Sequence, residues 1–225
     1  MKQLQITAFM NTPLSVNDSW SPNLDAILYY FWLKKEGLFQ PNVNPDNYIK
    51  AEIPLAEIEI DNVSFYKVSS PMYQVKRTQS MRYRKRWDNQ DKHIEWGKQK
   101  AKIKTAEGHS KNWDLPLRLV ETNRIDWFAE GNAMAIEELL ADCKHLGKKR
   151  SQGKGLVRKW AIKQIQKDKT IVFNEKIMRP IPVSVASHFL QDTSKQKTLY
   201  WAYKPPYFLP DNQANCFMPD LIKDY

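Results

Sequence analysis

The stretch HLGKKRSQGKGLVRKW, residues 145–160, predicts the end of a helix, a glycine-rich loop and the start of a strand. The helix, over residues 133–146, is predicted because Asn132 is a favoured N-cap residue and apolar residues follow it at helical spacing. Gly147 stands where such a helix would end. Residues 156–165 alternate between two faces, which is typical of a strand. The stretch therefore predicts a helix–loop–strand unit.

The loop GKKRSQGKG, residues 147–155, holds three of the chain's seven glycines and four cations. It fits neither phosphate-binding glycine motif, since Lys154 is not followed by Ser or Thr and Arg158 stands at the last glycine position of GxGxxG. Because it follows a helix, it has no positive helix end to offer a nucleotide. Glycines and cations together favour a main-chain clamp on the phosphates of a nucleic-acid strand, with a helix C-cap and a flexible turn as the alternative. The predicted RNA-binding residues of the loop are Gly147, Lys148, Lys149, Arg150, Gln152, Gly153, Lys154 and Gly155.

A second basic stretch, residues 73–104, holds eleven Lys and Arg against three Asp and Glu, and so carries most of the chain's formal charge of +10. Aromatic residues are interleaved with its cations. Cations seek phosphates and flat rings stack on bases, so this mixture favours single-stranded nucleic acid. A solvated loop, or a basic edge that binds an acidic protein, is the alternative. The predicted RNA-binding residues here are Arg82, Tyr83, Arg84, Lys85, Arg86 and Trp87.

The order of predicted elements indicates an α+β fold with a ferredoxin-like βαββαβ core. The core, residues 1–165, is interrupted by a long basic insertion at 71–113, and a Pro-rich C-terminal extension, 166–225, is expected to pack on it. The predicted core elements are a strand at 2–10, a helix at 22–36 that begins after Ser21, strands at 53–60 and 63–68, the helix at 133–146 and the strand at 156–165.

Composition excludes several classes of protein. With 225 residues and 42% hydrophobic content, the chain is too long for a disulfide-stapled miniprotein and too apolar for a disordered basic tail. The longest apolar run, residues 26–33, is too short for a membrane span, and residues 1–9 alternate instead of forming the apolar core of a signal peptide. Cys143 and Cys216 suggest neither a disulfide framework nor a zinc site. A cytoplasmic protein without membrane contact, metal or cofactor is expected.

Residues 145–160 closely resemble the glycine-loop region of the small RAMP subunit of type IV CRISPR effector complexes, the subunit that binds the five-prime handle of the guide RNA. Other segments match the same family in the same order. They are LDAILYY (24–30), RLVETNRIDWFAEG (118–131), MRPIPV (178–183) and YKPPYFLP (203–210).

The resemblance implies a RAMP core with a thumb-like insertion at 71–113 that caps one end of a helical ribonucleoprotein. The implied partners are the guide RNA, the repeated backbone RAMP subunit and the other subunits of the complex, with target DNA near the handle as a further candidate. Interference against foreign DNA would belong to the assembled complex. Lys154 departs from the family, which usually has an aromatic or aliphatic residue between the two glycines.

Some related handle-binding subunits cut precursor RNA, so the histidines bear on catalysis. His93 and His109 flank the basic insertion and are the candidates for a metal-independent endoribonuclease, whereas His145 fits a helix C-terminus and His188 a partly buried position. The acidic residues at 57, 59 and 61 suit a solvated strand face. We therefore expect no catalytic residue and no metal. An endoribonuclease and a basic protein–protein adaptor remain the alternatives.

Overall fold

The main sheet and its helices come from both halves of the chain. The computed structural model describes residues 1–39, 48–87 and 105–219, which form an α+β fold of antiparallel sheets with two α-helices. Within these ranges neither helix is long and apolar enough to cross a membrane. In chain order the elements are β1 (Lys2–Met10), β2 (Leu14–Ser15), α1 (Leu24–Lys35), β3 (Glu57–Ile60), β4 (Val63–Tyr66), β5 (Met72–Lys85), β6 (Trp113–Gly131), α2 (Ala133–Leu140), β7 (Val157–Gln164), β8 (Val172–Phe173), β9 (Lys176–Ile177), β10 (Ile181–Pro182), β11 (Thr198–Ala202) and β12 (Gln213–Phe217).

The main sheet is built around β6 and β1. β5 pairs with one edge of β6. The other edge of β6 pairs with β1 and with the short β2. β7 pairs with the free edge of β1. Ile6 lies opposite both Trp127 and Ile162. Leu4, Ile6 and Ala8 are at most 1% exposed, so the alternation of β1 is confirmed as that of a strand with one buried face.

Both helices pack on that buried face. Leu24 and Leu28 of α1 and Ile136 and Leu140 of α2 share one apolar core with Leu4 and its neighbours on β1. α1 begins two residues later than predicted, and no side chain caps its N-terminus. The predicted apolar stripe therefore places this helix correctly, although its predicted start is wrong.

The helix before the glycine loop is shorter than predicted. Its start is confirmed, because the Asn132 side chain accepts hydrogen bonds from two main-chain N–H groups of the first turn. It ends at Leu140 instead of residue 146. The cause is a competing main-chain pairing, since Leu146 N–H donates to the Gly155 carbonyl at 2.8 Å. The chain entering the loop thus pairs with the chain leaving it.

The strands that complete the main sheet are not those predicted from the sequence. The segments predicted at 53–60 and 63–68 contain β3 and β4, which form a separate two-stranded sheet. Isolated bridges from Leu55 and Val68 join the ends of these segments to the last residues of β6. β1 lies between β7 and β6. The strand on the far side of β6 is β5, which lies inside the predicted insertion at 71–113. From residues 74 to 80 every side chain of β5 is exposed, so the alternation that reveals a half-buried strand is missing.

A second apolar core joins β4 to the C-terminal residues. Phe65 of β4 is fully buried and packs with side chains of β9, β10 and β12 and of the 3₁₀ helix Val183–His188. Tyr203 meets Phe65 edge-on, with 6.5 Å between the ring centroids. The β3–β4 ribbon is therefore held by residues that follow β7, not by the main sheet alone.

A buried polar cluster links this second core to α1. Arg179, 2% exposed, donates hydrogen bonds to three main-chain carbonyls. Asp25 of α1 is 1% exposed and accepts from the Tyr207 hydroxyl at 2.8 and 2.9 Å. The nearest approach of the Arg179 guanidinium to the Asp25 carboxylate is 3.9 Å. These residues come from three of the segments that carry the family resemblance, so those segments meet in the fold.

The two cysteines are free and buried. Burial raises the pKa of both thiols to about 12. Both are therefore protonated at neutral pH, which suits packing and not nucleophilic chemistry.

Candidate nucleic-acid interface

The glycine loop is fixed to the sheet by its main chain. Lys148 N–H donates to the Ser15 carbonyl at 2.9 Å, and Gly155 N–H donates to the Pro13 carbonyl at 2.9 Å. The hydroxyl of Thr12 donates to a third point, a carbonyl within the loop, at 2.8 Å. The loop is therefore held along β2 and the turn before it, and its exposed side chains are presented from a fixed main chain.

The three glycines of the loop have different roles. Gly155 has φ +67°, and a Cβ there would lie 1.9 Å from the Leu146 carbonyl oxygen. At Gly147, φ is +71° and a Cβ would lie 2.5 Å from the Ser15 carbonyl oxygen. Gly153 has φ +72° with nothing within 4 Å. Gly155 and Gly147 thus allow close packing of the chain on itself, and of the three loop glycines only Gly153 leaves open space for a ligand.

This difference predicts unequal effects of alanine at two of these glycines. Gly153→Ala should lower the free energy of unfolding by about 1–2 kcal/mol, the cost of a left-handed backbone for a residue with a Cβ. Gly155→Ala should lower it by about 3 kcal/mol or more, because main-chain overlap adds to that strain. Urea unfolding of the two variants measures both values. Equal losses would contradict the assignment of Gly155 to packing.

The loop meets the β5–β6 hairpin through one lysine. The Lys149 Nζ lies 3.6 Å from the centroid of the Tyr83 ring and 5.3 Å from that of Trp113. The two rings lie 4.3 Å apart with an interplanar angle of 42°. Lys149 itself has a left-handed φ of 57°, unusual for a residue with a side chain. The two stretches predicted to bind RNA are therefore brought together at a cation–aromatic contact.

The strand geometry separates the predicted residues of β5 onto two faces. Successive side chains of a strand point to opposite sides, so Tyr83 and Lys85 face one way and Arg82 and Arg84 the other. Each of these arginines donates from Nε to Asp114 at 3.0 Å. Desolvation acts to raise the pKa of Asp114, but the hydrogen bonds and charges of the two arginines outweigh it and lower that pKa. The arginine pair keeps excess positive charge and is exposed.

The remaining predicted residues lie at the ends of these two segments. The Arg150 guanidinium lies 5.9 Å from the Tyr30 ring of α1, and the Lys85 Nζ lies 5.7 Å from the Trp87 ring. Trp87 is 40% exposed, which leaves part of its face available for stacking. Lys148, Gln152 and Arg86 are exposed, whereas Lys154 is partly buried.

The sequence pattern does not identify two aromatic residues of this surface. Trp113 stands at the far end of the predicted insertion and pairs with Lys85 across the hairpin. Tyr30 belongs to the predicted helix at 22–36, and its ring lies beside Arg150. The register of the β5–β6 hairpin is what places Trp113 on this surface, and a local sequence pattern does not reveal that register.

The candidate catalytic histidines do not form a cluster in the part of the chain that is described. His93 lies outside the described residues, and His109 is exposed in the 3₁₀ helix Gly108–Ser110. His188 is 3.1 Å from Asp61, with both side chains largely exposed. Within the described ranges, no group of three or more His, Cys, Asp or Glu is placed to hold a metal ion. The arrangement offers cations and flat rings, which suit binding to a strand of phosphates and bases.

Comparison with known proteins extends over almost the whole chain. Residues 2–219 match the family model described as Csf3, CRISPR type IV associated protein Csf3. No curated protein matches the chain. The family match includes the glycine loop, both strands of the hairpin and the buried polar cluster.

Proposed function

The chain belongs to the Csf3 family of type IV CRISPR-associated proteins, and we propose that it is the non-catalytic subunit that binds the five-prime handle of the guide RNA and caps the effector ribonucleoprotein. The observation that carries this proposal is the contact of Lys149 with Tyr83 and Trp113. It unites the glycine loop and the basic hairpin in one surface that offers both cations and rings. A single strand of RNA needs both kinds of contact.

The proposal includes a ferredoxin-like RAMP core. The order β5-β6-β1-β7, with α1 between β1 and β5 along the chain and α2 between β6 and β7, supports it. The β3–β4 ribbon is then an addition between α1 and β5, and the β5–β6 hairpin is the base of the thumb-like insertion. Residues 166–225 remain the proposed C-terminal extension.

The proposed partners follow from the family. They are the guide RNA, the repeated backbone RAMP subunit and the other subunits of the effector complex, with target DNA near the handle as a further candidate. The proposed location is the cytoplasm. No cofactor or metal takes part in the proposed role.

Fluorescence anisotropy with the purified chain tests this function. The probes are a labelled single-stranded RNA of the repeat sequence and a duplex DNA of equal length, each titrated at several salt concentrations. We expect the RNA to bind more tightly than the duplex at every salt concentration, because only the single strand exposes base faces to the rings. Binding of neither probe, or a preference for the duplex, would contradict the proposal.

The same RNA separates the two alternatives. Incubation with the protein in EDTA should leave the RNA intact, and discrete cleavage that His93→Ala or His109→Ala abolishes would identify an endoribonuclease instead. If the protein co-purifies with an acidic subunit and without RNA, it would instead be identified as an adaptor.

A further inference from the structure

A cavity of about 350 Å³ lies beside the hairpin, away from the Lys149 contact. It is bounded by the chain after β2, by β5 and β6, and by C-terminal residues. The side chains that decide its chemistry are Trp20, Ser70, Met72, Thr78, Arg118 and Met178.

The walls of this cavity are fixed and mostly apolar. The indole N–H of Trp20 donates to the Pro219 carbonyl at 3.1 Å, and its ring meets Trp201 edge-on at 5.5 Å between centroids. Met72 and Met178 are buried and add soft, polarisable surface. The cavity therefore presents a held aromatic ring and thioethers, which suit a flat π-system.

Polar side chains accompany these walls, among them Asp18, Ser70, Thr78 and Arg118. The Arg118 Nη1 donates to the Ser19 hydroxyl at 3.0 Å, and the rest of its guanidinium carries further donors. The Ser70 hydroxyl is buried and has no hydrogen-bond partner among the described residues. A ligand that fills the cavity can therefore gain hydrogen bonds as well as apolar contact.

The hairpin register connects the cavity to the exposed arginines. Thr78 lies opposite Val120, Ser80 opposite Arg118, and Arg82 opposite Pro116. Alternate residues of a strand share a face, so the Thr78 and Arg118 of the cavity lie on the same face of the hairpin as Arg82 and its neighbour Arg84. Two residues along a strand span about 7 Å, roughly the spacing of successive phosphates in an extended strand. Cations thus lead along one face to the cavity.

We propose that this cavity receives one unstacked base of the single-stranded RNA whose phosphates the Arg82 face contacts; the inference rests on the proposed function. The volume is in the range of small-ligand sites. The cations on the face favour a polyanion over an apolar side chain of a protein partner. Bases of single strands are recognised by stacking on aromatic rings and by hydrogen bonds to their edges, which Trp20, Arg118 and Ser70 offer.

Photocrosslinking tests this inference. Repeat RNA that carries 4-thiouridine is irradiated with the purified chain, and mass spectrometry locates the crosslinks. We expect crosslinks to the segment around Trp20 or to that around Met72. Thr78→Trp places an indole at the exposed rim and should reduce these crosslinks and weaken RNA binding about tenfold, the effect of losing one stacked base.

Gln74→Trp is the matched control, because residue 74 is exposed on the same strand but does not line the cavity. It should leave both readouts unchanged. Val75→Trp, at a second exposed lining position, replaces Thr78→Trp if that variant is unfolded by circular dichroism.

The outcomes separate this inference from the proposed function. Wild-type crosslinks that lie only outside the cavity, or a filled variant with unchanged affinity and unchanged crosslinks, overturn the cavity assignment and leave the proposed function standing. Crosslinks from the cavity to a protein subunit in the assembled complex also overturn it. A chain that binds no RNA overturns both.

Discussion

Replacing Arg179 by Leu should lower the free energy of unfolding by about 3–5 kcal/mol, the usual cost of removing one partner from a buried ion pair. Arg179 is 2% exposed, and its guanidinium donates to the carbonyls of Tyr66, Val68 and Tyr203. The variant leaves these carbonyls without their charged donor and removes the guanidinium charge that lies 3.9 Å from the Asp25 carboxylate. Urea unfolding measures the loss.

A surface ion pair supplies the matched control. Lys35 lies 2.7 Å from Glu138, with the two side chains 49% and 63% exposed. Lys35→Ala should change the free energy of unfolding by no more than about 1 kcal/mol, since exposed pairs are screened by solvent. A loss from Arg179→Leu as small as that from Lys35→Ala would show that the buried cluster does not hold the C-terminal residues to α1.

The Arg179→Leu penalty should also depend on pH. Burial raises the pKa of Asp25, and the Arg179 charge acts in the opposite direction, so removing Arg179 raises that pKa further. A carboxyl whose folded pKa lies above its unfolded pKa of about 3.9 does not lower the free energy of unfolding when the pH is below the unfolded pKa. It lowers that free energy progressively as the pH rises toward the folded pKa. The difference in free energy of unfolding between wild type and variant should therefore be smaller near pH 4 than near pH 7. A larger difference near pH 4 would contradict this account.

The parts of the fold that were predicted correctly depend on neighbours in sequence. The Asn132 cap bonds N–H groups two and three residues away, and the alternation of β1 is set by its own pleat. The pairing of Leu146 with Gly155 depends instead on a contact across the loop, which helical periodicity does not contain. Local chemistry therefore predicted where α2 begins but not where it ends.

The largest difference between the predicted and the observed fold concerns β5, and it arises because solvent covers both faces of this strand. A strand exposed on both faces has no buried side to impose alternation, so its basic sequence predicts an insertion and not a strand of the main sheet. The position of β3 and β4 could not be predicted for a related reason. Phe65 is buried by residues more than a hundred positions later, and only the folded chain brings them together.

The candidate site was predicted in its components but not in its arrangement. Composition located the glycine loop and the basic stretch. Strand geometry then placed Arg82 and Tyr83 on opposite faces, so the two residues cannot contact a ligand from the same side. The contact of Lys149 with Trp113 joins residues 36 positions apart, which charge counting does not reveal.

Changing Lys148, Lys149 and Arg150 together to Ala should weaken RNA binding about a hundredfold at about 0.1 M salt. Each phosphate contact to a single strand contributes about 0.7 to the slope of log affinity against log salt, so three contacts contribute about 2. If these contacts contribute nothing to the binding free energy near about 1 M salt, a slope difference of about 2 corresponds to about a hundredfold difference in affinity at a tenfold lower salt concentration. Anisotropy titrations over a range of salt measure slope and affinity together.

The matched control removes the same charge elsewhere. Lys167, Lys176 and Lys195 are exposed and lie in the C-terminal third of the chain. Their triple alanine variant should leave the slope within experimental error of wild type, because long-range attraction alone releases no bound counterions. Equal slopes for the two triple variants would reject the loop as a phosphate clamp.

The effect of replacing Lys149 alone should not follow from the count of phosphate contacts. Its Nζ lies over the Tyr83 ring, so it joins the loop to the hairpin as well as adding charge to the surface. Lys149→Met should therefore lower the salt slope by at most about 0.7 yet reduce RNA affinity more than Lys148→Met does, since positioning of the hairpin is lost as well. Because Tyr83→Leu removes the same contact, the double variant should lose less affinity than the two single losses predict. Strict additivity would mean that the loop and the hairpin bind RNA independently.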